Sequence, residues 1–246
     1  MTSASKNVTK KNLAILFCSF RPAQYPINAQ NGRESEYNFC IRHFLDVIPL
    51  DLFDVVVADN TVAELQQLKS KELQEFLRTD SRIEDVYLFA DNLGEKGNKG
   101  LGELQMLAGV LENVPHGKYE KVSYVTARRL VSNPYIFEKT SALTKEALVS
   151  NPDFCYLNGK VVESEKKGMY NDMFFSMTEK RMREYSAFSV DNMEFNAANH
   201  IGSEQNLFRF ITKNNVECEF VKWLGLIRND WMIDFNQSNI ANVHVC

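Results

Sequence analysis

The segment YEKVSYVTARRLVSNPYIFE, residues 119–138, joins a core strand to a polar stop. Val122 to Val125 reads as the strand, Thr126-Ala127-Arg128-Arg129 as the stop, and Ser132-Asn133-Pro134 as the start of a helix. Two adjacent arginines at the carboxyl end of a core strand need an explanation, because an unpaired buried guanidinium is costly and calls for an anionic partner. In an open α/β sheet that end is where ligands bind, so Arg128 and Arg129 are the first candidates to hold a phosphate-bearing substrate. The structural alternative is an ion pair with a carboxylate such as Glu138 or Asp172.

On the amino-terminal side the same pattern recurs. Leu13 to Cys18 (LAILFC) is a continuous apolar run that ends at Ser19-Phe20-Arg21-Pro22. Phe53 to Ala58 ends at Asp59-Asn60-Thr61, and Val86 to Ala90 ends at Asp91-Asn92. Uninterrupted apolar runs of this length suit strands covered on both faces, the condition of a parallel sheet. Between them, helical spacing predicts helices over Glu34 to Val47, Ala63 to Leu77, Gly102 to Leu111 and Pro134 to Leu148. Four strand-helix alternations with short connections predict βαβ units and a mainly parallel sheet with helices on both faces.

Past residue 150 the alternation breaks. Asp153 to Asn158 and Asn171 to Thr178 read as strands joined by the turn VESEKKG, an antiparallel pair. Helices are expected over Glu179 to Phe188 and from Ser203, followed by a last strand over Glu217 to Ile227. Neither a repeat nor a linker divides the chain, so residues 1–246 read as a single α/β domain with tails at 1–11 and 229–246.

Composition sets the outer limits. A formal charge of −4 and a pI near 5.7 disfavour a nucleic-acid partner. The five scattered cysteines form no CxxC pair and suit reduced thiols, hence a cytoplasmic setting. No secretory signal or transmembrane run is evident.

Each polar strand end has an ordinary reading, since Asp and Asn after a strand form turns and caps; four such ends along one sheet edge are a stronger signal. The loop GEKGNKGLG, Gly94 to Gly102, puts Lys96 and Lys99 beside glycine turns just before a helix, a pattern suited to an anion. It has neither the Walker spacing nor GxGxxG. No Ser/His/Asp spacing, nucleophile elbow or HExxH supports hydrolase chemistry. Trp223 and Trp231 suit sugar stacking or core packing.

The order of elements resembles the GT-A fold of nucleotide-sugar-dependent glycosyltransferases. Within it, Asn98-Lys99-Gly100-Leu101-Gly102-Glu103 resembles the NKGxGE helix start of small bacterial and viral enzymes that build surface or capsid glycans. Thr126-Ala127-Arg128-Arg129 is similar to their TGRY, with Ala127 and Arg129 departing from it. The resemblance implies a glycosyltransferase of polysaccharide biosynthesis that uses a UDP- or GDP-sugar donor and a glycan acceptor. It implies that Ser19, Phe20, Arg21 and Asp59 bind the nucleoside, with Asp91 beside them. Lys99, Thr126, Arg128 and Arg129 then hold the diphosphate. At the start of the late helix Glu204 is the implied base of an inverting transfer, which needs a carboxylate to take the acceptor proton. Asp191, Glu194 and His200 are weaker candidates for the acceptor side. The Asp-x-Asp with which most such enzymes hold a divalent metal is missing, so no cofactor is expected to be required, although Mg or Mn could assist. A sugar nucleotidyltransferase and a non-catalytic binding module are the rival readings, and the oligomeric state is open.

Overall fold

The computed structural model describes residues 10–23, 25–96, 98–150, 154–157, 160–163, 168–221 and 224–228. The chain runs β1 (Asn12–Cys18), α1 (Ile27–Val47), β2 (Phe53–Asp59), α2 (Lys71–Thr79), β3 (Asp85–Leu88), α3 (Lys99–Asn113) and β4 (Lys121–Thr126). It continues through β5 (Arg129–Val131), α4 (Tyr135–Ser141), β6 (Ala147–Ser150), β7 (Phe154–Leu157), β8 (Lys160–Glu163) and β9 (Phe174–Thr178). The last elements are α5 (Glu179–Asp191), α6 (Met193–Ala198), α7 (Ser203–Lys213), β10 (Cys218–Val221) and β11 (Leu226–Arg228).

Seven strands form one sheet in the order β10-β6-β9-β4-β1-β2-β3. The strands β3, β2, β1 and β4 are parallel neighbours, and β9 runs antiparallel to both β4 and β6. The mainly parallel α/β sheet expected from the apolar runs is therefore present.

β1 lies inside it, between β4 and β2, because both of its faces are apolar. Ala14, Leu16 and Cys18 pack into one core with α1, α2 and α4, while Leu13, Ile15 and Phe17 pack into a second with α3, α5 and α7. Burying a Leu, Ile or Phe side chain contributes roughly 1.5–3 kcal/mol, so a strand buried on both faces resists any one-residue slip of register.

Five features differ from the sequence expectation. The predicted pairing of 153–158 with 171–178 does not occur: β7 pairs with β8 in a separate ribbon, and β9 enters the main sheet. Phe174, Phe175, Ser176 and Met177 are all buried, as a strand inside a sheet requires. The helix predicted to Leu148 stops at Ser141, and Ala147–Ser150 becomes β6, an apolar run too short for periodicity to tell strand from helix. The helix predicted from Ala63 begins at Lys71, where the Ser70 hydroxyl accepts the Leu73 N–H at 3.1 Å. The single late strand splits into β10 and β11, with Gly225 at φ 66° just before β11. β5, unforeseen, pairs with β11.

Candidate functional site

The register brings four chain reversals to one edge of the sheet: Cys18 lies opposite Asp59, Asp59 opposite Leu88, and Phe17 opposite Thr126. The loop after β1 is fixed by side chains. The N–H groups of Ser19, Phe20 and Arg21 donate in turn to the Tyr37 hydroxyl (2.9 Å), the Asp59 carboxylate (2.7 Å) and the Thr61 hydroxyl (2.8 Å). Asp59 is wholly buried and also accepts from the Thr61 N–H (2.7 Å), the Thr61 hydroxyl (2.8 Å) and the Val62 N–H (3.0 Å). Burial pushes its carboxyl above the usual range, outweighing the opposing pull of these donors.

Asp59 therefore stitches the first two strand ends together. Phe20 is buried edge-on against Tyr37, with ring centroids 5.1 Å apart. The Arg21 guanidinium is committed to Glu34 and, at 2.9 Å, to Gln30. These three hold the loops, and Ser19 lines the cavity itself.

That cavity is lined by Ser19, Tyr25, Arg33, Asn60, Asn92, Lys99, Glu103, Thr126, Arg128 and Arg129, together with Phe17, Cys18 and Met106. Four cationic side chains face one carboxylate. One nitrogen of Arg128 lies 3.1 Å from the buried carboxylate of Glu36. Arg129 Nε contacts the Met173 sulfur at 3.1 Å. Arg33 donates to the Ser19 carbonyl at 3.1 Å and sits 5.0 Å from the Tyr25 ring centroid, and Lys99 donates to the Tyr25 hydroxyl at 3.5 Å. Burial pushes the Tyr25 phenol up, but Lys99, Arg33 and Arg128 outweigh it and hold the phenol below its ordinary value.

Glycines let helix α3 come this close. A Cβ at Gly102 would stand 2.4 Å from Asn92 Oδ1 and 2.7 Å from Asn60 Nδ2, two side chains hydrogen-bonded to each other at 3.0 Å. At Gly100 a Cβ would stand 2.4 Å from the Ser203 backbone nitrogen. These two glycines are thus fitted to close packing between α3, the strand ends and α7.

A second polar centre lies at the inner end of the cavity. Glu103, one turn after Lys99, meets the Ser203 hydroxyl at 3.2 Å, and the same hydroxyl makes a short contact with Asp172. Burial, then the Asp172 charge, push Glu103 up to about 7, against the opposite pull of Tyr124, Ser203 and Lys99. Asp172 arrives here because it lies two residues before β9, whose Phe174 pairs with Val125 near the end of β4.

Of the residues singled out in the sequence, Ser19, Lys99, Thr126, Arg128 and Arg129 converge on the cavity. Glu204 lies in the first turn of α7, beside Ser203, and is not among the lining residues. Asp91 is exposed, as are Asp191 at the end of α5, Glu194 in α6 and His200, whose φ is 55°. Lys96 lies in the turn before α3, and Trp223 and Trp231 lie outside the described residues. Sequence reasoning missed Tyr25, Arg33, Asp172 and Ser203 as site residues, and it used Glu103 only as part of a motif. The one available signal was the spacing of Lys99 and Glu103, which puts both on one face of a helix. Among the described residues no three His, Cys, Asp or Glu side chains converge. No described helix is long and apolar enough to cross a membrane.

No protein-family model and no curated protein matches the chain. Solved structures do. The 4-diphosphocytidyl-2C-methyl-D-erythritol synthase of Anaerococcus prevotii superposes with a TM-score of 0.52 at 12% identity, over 87% of this chain and 87% of that one. A nucleotide-diphospho-sugar transferase assignment from Desulfovibrio desulfuricans superposes with a TM-score of 0.53 at 9% identity, over 87% of this chain and 80% of that one. The chain shares the fold of these two structures. In such an open sheet the ligand crevice lies beyond the carboxyl ends of the strands, which is where the cationic cavity is found.

Proposed function

We propose that this protein is a glycosyltransferase that moves a sugar from a nucleotide-diphosphate donor to a glycan acceptor. The observation that carries this reading is the convergence of Arg33, Lys99, Arg128 and Arg129 on one cavity at the carboxyl edge of the sheet. Guanidinium forks match phosphate oxygens in pairs, and cations aimed at the diphosphate stabilise the charge that grows on it as it leaves. Ser19 and Thr126 supply hydroxyls beside them, and Tyr25 adds a ring to the lining. In this reading the start of α7, with Glu204, faces the acceptor, and Asp191 and His200 lie farther out on that side. The transfer inverts the anomeric carbon and depends on a divalent metal weakly or not at all.

A sugar nucleotidyltransferase is the second reading, favoured by the fold shared with a cytidylyl-transferring synthase. Such enzymes hold a triphosphate on free backbone amides of a glycine-rich loop after the first strand. Here the three consecutive amides of Ser19, Phe20 and Arg21 are already committed to Tyr37, Asp59 and Thr61, which supports glycosyl over nucleotidyl transfer.

Incubation with a panel of nucleotide sugars and glycan acceptors tests the choice. Release of free nucleoside diphosphate supports glycosyl transfer. Formation of pyrophosphate from a nucleoside triphosphate and a sugar phosphate supports the second reading, and binding without turnover supports a non-catalytic module.

A further inference from the structure

The Ser203 hydroxyl stands between two carboxyl groups, 3.2 Å from Glu103 Oε2 and in short contact with Asp172 Oδ2. A serine hydroxyl has a single proton, and an ionised carboxylate can only accept. With both carboxyls ionised, one of the two contacts would set oxygen against oxygen with no hydrogen between them. Both contacts become hydrogen bonds when one carboxyl keeps its proton and donates it to Ser203 Oγ, which donates onward to the other.

The surroundings point the same way. The side chains that face Glu103 are Lys99 from its own helix, Tyr124 from β4, Asp172 and Ser203, and Tyr185 of α5 also feels its charge. Of the charged groups that act on Glu103, Lys99 is the cation and Asp172 the opposing carboxylate. The Tyr124 ring is stacked between Phe17 (4.1 Å) and Phe175 (4.8 Å), which aims its buried hydroxyl at the pair.

We infer that Glu103 and Asp172 hold one proton between them through Ser203, and that Glu103, the member lining the cavity, is the catalytic base. The base role rests on the glycosyl-transfer reading; the shared proton does not. In the reaction the acceptor oxygen bonds to the anomeric carbon, and the bond from that carbon to the diphosphate oxygen breaks. The electron pair leaves with the nucleoside diphosphate, and the acceptor proton passes to the ionised Glu103 carboxylate. Asp172 is a positioning residue: through Ser203 it holds the Glu103 carboxyl in place, and its charge raises the pH at which Glu103 becomes the ionised base. The upward push on Glu103 accords with this, because two like charges held close titrate as one unit.

Carboxyl-carbon NMR titration of the ligand-free protein tests the shared proton without any activity. One carboxyl is expected to titrate near pH 7. Its signal should vanish in Glu103→Gln and move to lower pH in Asp172→Asn, and Ser203→Ala gives a second assignment should either variant fail to fold. Two wild-type carboxyls titrating at ordinary values of about 4 would overturn the pairing. For the base role, Glu103→Gln is expected to lose transfer by about 100-fold or more while binding nucleoside diphosphate within a few-fold of wild type. In Asp172→Asn the acid limb of the rate profile should shift to lower pH. Full turnover in Glu103→Gln would overturn the base role. Absence of nucleoside diphosphate binding in the wild type would instead sink the glycosyl-transfer reading, with the titration still deciding the shared proton.

Discussion

One guanidinium nitrogen of Arg128 lies 3.1 Å from the Glu36 carboxylate, which is almost wholly buried in helix α1. The arginine therefore meets the cavity already braced from behind. Removing one partner of such a pair leaves a buried charge uncompensated, at a cost of about 3–5 kcal/mol. Arg128→Ala is expected to lower the melting temperature, and the double variant Arg128→Ala with Glu36→Gln to recover most of it. Neither should regain nucleoside diphosphate binding. Equal melting temperatures for single and double variants would show that the pair is not coupled.

Gly100→Ala tests the contact between α3 and α7. The added methyl would stand 2.4 Å from the Ser203 backbone nitrogen, so one helix start must shift. Overpacking of this kind costs about 1–3 kcal/mol, and the shift also separates Glu103 from Ser203. Loss of transfer with a modest fall in melting temperature is expected, and wild-type activity would contradict the close approach.

How much of this was legible in the sequence follows from what each feature depends on. The strands β1, β2 and β4 are buried on both faces, so their residues had to be apolar throughout and could be read directly. Lys99, Arg128 and Arg129 were visible as cations where strands end or a helix begins. The partners were not. Glu36 lies 92 residues before Arg128 in the chain, and Asp172 reaches Ser203 only because β9 inserts between β4 and β6. Local spacing carries no record of that insertion, and a charged turn after residue 161 suggested a hairpin instead. Arg21 and Asp59 have the residue types of a binding site, yet burial and hydrogen bonds commit them to holding the loops.

Asp59 supplies a stability test. Its carboxylate accepts four hydrogen bonds from the two loops. Asp59→Ala would strand the Phe20 and Val62 amides in a buried setting, and each buried donor left unmade costs about 1–3 kcal/mol. A drop of several kcal/mol in denaturant unfolding is expected. A change within experimental error would mean that the loops stand without it.

Stability should also depend on pH through Glu103. Its carboxyl is raised in the folded protein to about 7 from an ordinary 4.5, so between those values the folded state binds more protons than the unfolded chain. That contribution is fully present below pH 4.5 and is lost as pH rises through about 7. Urea midpoints across this range should fall more steeply in the wild type than in Glu103→Gln. Parallel profiles would contradict the raised value.

The central claim is that Arg33, Lys99, Arg128 and Arg129 form a diphosphate site. Calorimetric titration with UDP and GDP in the presence of EDTA tests it most directly. Binding of at least one of them, at least about tenfold tighter than its nucleoside, the equivalent of about 1.4 kcal/mol, is the expected result. Failure of both to bind, or binding that appears only when a divalent ion is restored, would contradict it.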